Sequence, residues 1–182
     1  MPSAVASILS LSAAGLYLIV LAGCIVAAFI SARYRQPPKH RLIWGLIAIA
    51  FFGLAIMRFT ALEEIAREAL RGLLVTEAAY HERRVYQRAT VTILFLAVSG
   101  LMLFGLMRQW KIARGRRNVA VVVALAGLAV MVGLLGLRII SLHDIDKLLY
   151  GPLKLNWFLD IGASLAVLGA AAFYVRLVRQ RP

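Results

Sequence analysis

Five long apolar stretches, at about 7–32, 42–59, 89–107, 118–140 and 155–175, divide the chain, with short linkers between them carrying most of its charge. A hydrocarbon core about 30 Å thick is crossed by roughly 20 apolar residues in helix, so each stretch is long enough to cross it. With 62% hydrophobic and 16% charged residues over 182 positions, the chain is far too apolar for a soluble domain of its size. The expected fold is a single all-α integral membrane domain, residues 1–182, with five transmembrane helices.

The linkers divide by charge. Arg33, Arg35, Lys39 and Arg41, then Arg108, Lys111, Arg114, Arg116 and Arg117, then Arg176, Arg179 and Arg181 place twelve of the 21 basic residues on one side, with no acid among them. All eight acids lie in the remaining segments with the other nine bases. The positive-inside rule then predicts the amino terminus outside and the carboxyl terminus in the cytoplasm. Small size and compact loops point to a bacterial inner membrane, where outside means periplasm.

A net charge of +13 suggests nucleic acid in a soluble protein. That reading requires the bases on one folded face, beside aromatics or a recognisable motif. Here they are dispersed in linkers, and no nucleic-acid partner is expected. The single cysteine, Cys24, excludes an internal disulfide. Leu21, Ala22, Gly23 and Cys24 resemble a lipobox, but residues 1–12 contain no Lys or Arg and the apolar run continues to Ala32. The first stretch is therefore read as an uncleaved helix anchored by Arg33 and Arg35.

Inside the spans there is little for chemistry to use. Proton relays and ion paths rely on ionisable residues near the midplane, and none is expected there, which argues against a pump or proton-coupled transporter. His40, His81 and His143 fall in linkers, His40 in a cytoplasmic one, so two histidines cannot hold a haem within the bundle. Ser164 lacks a histidine partner in a neighbouring span and reads as a small packing residue. Tyr17, Cys24 and Tyr174 read as packing or interfacial residues. Gly127, Gly133 and Gly136 in the fourth span, and Gly162, Ala166, Gly169 and Ala170 in the fifth, predict close packing of those two helices, through pairs such as Ala129 with Gly133 and Ala166 with Ala170.

Two linkers on the acid-bearing side predict interfacial helices, at about 61–75 and 142–150. Thr60 with Glu63 spells a capping box. Leu62, Ile65, Ala69, Leu70 and Leu73 then form an apolar stripe opposite Glu63, Glu64, Arg67, Glu68 and Arg71, as in a helix lying flat on a bilayer. Ser141 and Asp144 open the second helix, and Gly151 followed by Pro152 closes it.

Asp160 lies about a turn and a half inside the fifth span. A carboxylate at that depth requires a partner, and Arg58 and Arg138, each at the same boundary, are the candidates for a structural ion pair. With His81, Arg84, His143, Asp146 and Asn156 these groups form a candidate outer-face polar cluster. His143 and Asp146, three residues apart on a helix, are neighbours that can fix an imidazole tautomer. No complete catalytic motif and no metal-ligand set is present, and no cofactor is specified.

Three functions remain open. The first is a non-catalytic membrane subunit or scaffold, packed against the bilayer and other subunits of a larger, energy-converting inner-membrane complex. The second is a small membrane enzyme or metal-binding protein with an outer-face site for an amphiphilic substrate. The third is a carrier or sensor for a hydrophobic ligand.

Overall fold

The computed structural model describes residues 8–60, 97, 99–111, 115–140 and 155–180; for 8–10, 138–140 and 155–156 the description is of the backbone alone. All regular structure in these residues is helical: α1 is Ile8–Arg33, α2 Pro38–Phe59, α3 99–111, α4 Arg116–Ile140 and α5 Leu155–Gln180. Four of them, α1, α2, α4 and α5, are long and apolar enough to cross a membrane. Of the expected third span, 89–107, residues 97 and 99–107 are described; they are helical, and the helix continues to Lys111 as α3. The two interfacial helices also lie outside the described residues.

Three boundaries differ from the sequence reading. Helix α2 starts at Pro38 rather than 42, α4 at Arg116 rather than 118, and α5 runs to Gln180 rather than 175. In each case the helix runs past the apolar stretch and carries flanking charges inside its end. At the end of α1, Arg35 takes a left-handed φ of 49°. Gln36 N then donates to Ser31 O at 2.9 Å and Arg35 N to Ala32 O at 3.2 Å, the pair of bonds that closes a Schellman turn. Pro37 and Pro38 follow, and the second occupies the first turn of α2, where a missing N–H costs nothing.

Helices α1 and α5 run parallel in one register. Tyr17 meets Asp160 and Tyr174 meets Ser31, each pair separated by 143 residues. The two contacts are fourteen residues apart along each helix, about 21 Å at roughly 1.5 Å per residue. The buried residues of α1, Tyr17, Val20, Cys24, Ala27 and Ser31, alternate in steps of three and four, as do Asp160, Ser164, Val167, Ala171, Tyr174 and Val178 of α5. That is the 3.5-residue repeat of two helices supercoiling left-handedly. Helix α2 packs antiparallel to α1, with Phe51 edge-on to Tyr17 at 5.9 Å. Helix α4 packs antiparallel to α5, and α2 touches α4 more thinly, closing the ring.

Close approach of α4 to α5 depends on one glycine. A Cβ added at Gly127 would lie 2.6 Å from Val167 Cγ2 and 3.0 Å from the Ala163 carbonyl oxygen. The other small residues expected there behave differently: a Cβ at Gly133, Gly162 or Gly169 would meet nothing within 4 Å, and Ala166 is exposed. Gly133, Gly162, Ala166 and Gly169 thus stay clear of the seam, whereas Ala170, expected with them, is buried, as are Ala120, Ala124 and Ala163. On the outside of the bundle, Phe29, Leu42, Ile49, Phe52, Phe158 and Leu165 are exposed, as suits helices whose surroundings are acyl chains.

Candidate functional site

Two polar networks tie the bundle, one near each end. In the first, Tyr17 Oη donates to Asp160 Oδ1 at 2.5 Å and Arg58 Nη2 donates to Asp160 Oδ2 at 3.0 Å. One carboxylate thus joins α1, α2 and α5. Asp160 is 4% exposed, and it is the one acidic side chain among the described residues. A lone buried carboxylate would be very costly to keep charged; with a guanidinium on one oxygen and a phenol on the other, both oxygens are engaged. A cavity of about 10 Å³, lined by Tyr17, Leu54, Met57, Arg58, Met131, Leu134 and Leu135, adjoins the pair. It holds about one water and nothing larger.

The second network lies at the basic end. His40 is not in a loop, as the sequence suggested, but in the first turn of α2 and 3% exposed. Its Nδ1 is 3.1 Å from Tyr174 Oη, and its Nε2 is 2.8 Å from Asn118 Oδ1. Tyr174 Oη in turn lies 3.2 Å from Ser31 Oγ. An amide oxygen can only accept, so Nε2 carries a proton and donates to it. Tyr174 has a single hydroxyl proton, which goes to Ser31 when the imidazole is protonated and to Nδ1 when it is neutral, with Ser31 then donating to Tyr174. The Asn118–His40–Tyr174–Ser31 chain therefore has two satisfied directions, set by one proton.

Arg117 extends this network. Its Nη1 donates to Gln36 Oε1 at 3.0 Å and its Nη2 to Leu177 O at 3.3 Å, near the end of α5 where the helix dipole favours a cation. Trp44, one turn along α2 from His40, packs on the Tyr174 ring at 5.4 Å. It is fully buried, and its Nε1 meets no acceptor among the described residues.

Of the residues singled out in the sequence, Asp160 and Arg58 are brought together. Arg138 and Asn156 lie in α4 and α5, and their side chains are outside the description. His81, Arg84, His143 and Asp146 lie outside the described residues. Thr60 is a C-cap and not the start of a capping box: with φ −91° and ψ 0° it ends α2, its N and Oγ1 donating to Ile56 O at 2.9 and 2.8 Å. An N-cap requires extended backbone, which Thr60 lacks. Ser164 is buried against Met131 Sδ at 3.9 Å, a packing contact.

Sequence reasoning missed the roles of Tyr17, Ser31, His40, Asn118 and Tyr174. The available signal was spacing: Tyr17, Cys24 and Ser31 recur every seven residues through an otherwise apolar helix. Among the described residues no three His, Cys, Asp or Glu side chains converge as a metal site. No protein-family model, no curated protein and no solved structure matches this chain.

Proposed function

We propose that the protein is a non-catalytic multi-pass membrane subunit, a helical scaffold packed by its apolar faces among other membrane proteins. One observation carries the reading: the buried Asp160, His40, Tyr17, Tyr174 and Ser31 are engaged in hydrogen bonds across helices. Asp160, the strongest candidate for chemistry, has both oxygens occupied and only about 10 Å³ of space beside it, whereas sites for amphiphilic substrates run to roughly 300–1,000 Å³.

The proposal includes a fifth span. Helix α2 ends at the Asp160 end of the bundle and α4 begins at the opposite, basic end, so residues 61–114 must travel its length. The apolar run at 89–107 is suited to that return inside the membrane. Five crossings put the two chain ends on opposite sides. The basic end then faces the cytoplasm of a bacterial inner membrane, with the amino terminus in the periplasm.

The test is extraction of the intact chain from its own membrane in mild detergent, followed by particle mass, absorption spectrum and metal content. A particle well above 20.0 kDa that carries other proteins in fixed ratio supports the subunit reading. A lone chain, with or without metal, overturns it and directs substitution to His143 and Asp146.

A further inference from the structure

We propose that a cavity at the basic end of the bundle binds a phosphate-bearing anion, with Lys39 as its cationic contact. The cavity, about 90 Å³, lies between α2, α3 and α4. Lys39, His40, Gln109 and Asn118 form its polar wall, and Ile43, Val121, Val122 and Leu125 its apolar wall. The polar members fall at the ends of their helices, while the apolar ones lie one to two turns further along α2 and α4. The polar lining therefore gathers at the helix ends and the apolar lining deeper along the bundle.

Electrostatics selects the sign of the ligand. Lys39 is on the wall and Arg117 is next in sequence to Asn118, while segments 33–41, 108–117 and 176–181 contain no Asp or Glu. The one described carboxylate, Asp160, belongs to the network about 21 Å away along α5. The positive ends of the α2 and α4 dipoles point the same way. Size then selects the group: about 90 Å³ admits several waters or one phosphate, and excludes the body of an amphiphile.

Inorganic phosphate and the headgroup of an anionic phospholipid share this chemistry. An experiment on the purified full chain in detergent separates them, using inorganic phosphate at constant ionic strength, phosphatidylglycerol and phosphatidylcholine as probes. Binding is read by native mass spectrometry and by the shift in unfolding temperature. The variants are Lys39→Gln and Gln109→Leu, both at exposed positions, with Arg41→Gln as an equally charged change on α2 away from the cavity.

Stabilisation of the wild type by phosphate and by phosphatidylglycerol identifies a free-anion site; stabilisation by phosphatidylglycerol alone identifies a headgroup site. In either case Lys39→Gln should weaken binding about fivefold, the worth of one cation at a membrane surface, and Arg41→Gln less than twofold. Gln109→Leu should weaken it too. Equal binding of phosphatidylcholine, equal losses in Lys39→Gln and Arg41→Gln, or no loss in Lys39→Gln would each overturn the site.

Discussion

Tyr17 donates to Asp160 at a chain separation of 143 residues, and the hydroxyls of Tyr174 and Ser31 are hydrogen-bonded at that same separation. The first and last helices are thus pinned twice in one parallel register. A slip of one residue would break both bonds and would also part Asp160 from Arg58. Buried ionic groups add little net stability, but removing one partner strands the other.

Replacing Asp160 by Asn keeps an acceptor for Tyr17 and removes the anion that Arg58 faces. The expected loss is about 3 kcal/mol, read by unfolding in mixed micelles. In the Arg58→Gln background Asp160→Asn should cost about 1–3 kcal/mol less, because the ion pair is already absent. Strictly additive losses would disprove the coupling.

Gly127→Ala forces its Cβ into Val167 and against the Ala163 carbonyl, and should cost about 1–3 kcal/mol. Measured in a Val167→Ala background, the penalty should shrink. Gly133→Ala and Gly162→Ala meet open space, and should be neutral or stabilising by up to about 1 kcal/mol. Thermal melts of the four variants separate the seam from the outward stripe.

Four of the five expected spans, and the place of Asp160 in the second turn of α5, were legible because both follow from local composition. The Arg58 contact followed from position at a shared boundary. Tyr17, His40 and Tyr174 were not legible as partners. Their bonds join α1, α2, α4 and α5 across 78 to 143 residues, and no local pattern encodes which helices adjoin. A membrane also removes the usual cue, since lipid-facing Ile19, Ile25 and Phe29 are as apolar as buried Val20 and Ala27. What marks the inside is small or polar residues at 3.5-residue spacing, and on α4 and α5 the glycines and alanines followed two stripes of which only one is the seam.

Trp44→Phe and Tyr174→Phe should part company. The first removes a buried N–H that has no acceptor among the described residues, so its lost area is offset and stability should stay within about 1 kcal/mol. The second deprives both His40 and Ser31 of a partner, and should cost about 1–3 kcal/mol. Equal losses, measured as unfolding free energies, would contradict this.

Gly115 has φ 93° immediately before α4, a conformation L residues rarely adopt. Gly115→Ala should therefore cost about 1–2 kcal/mol although no atom lies within 4 Å of the new Cβ. Arg35, with φ 49°, is the reverse case, and Arg35→Gly should gain up to about 1 kcal/mol. Chemical denaturation midpoints of the two variants should move in opposite directions.

The parallel pairing of α1 with α5 also sets a timetable. A ribosome adding about 5–20 residues per second needs roughly 7–30 s to make the 143 residues between Tyr17 and Asp160. For about 5–20 s of that interval, while the 102 residues from Arg58 to Asp160 are made, Arg58 and Tyr17 await a carboxylate that has not yet been synthesised. The contact between α1, α2 and α5 therefore closes only once α5 is made, and a chain truncated before Asp160 would lack the anion that Arg58 and Tyr17 share.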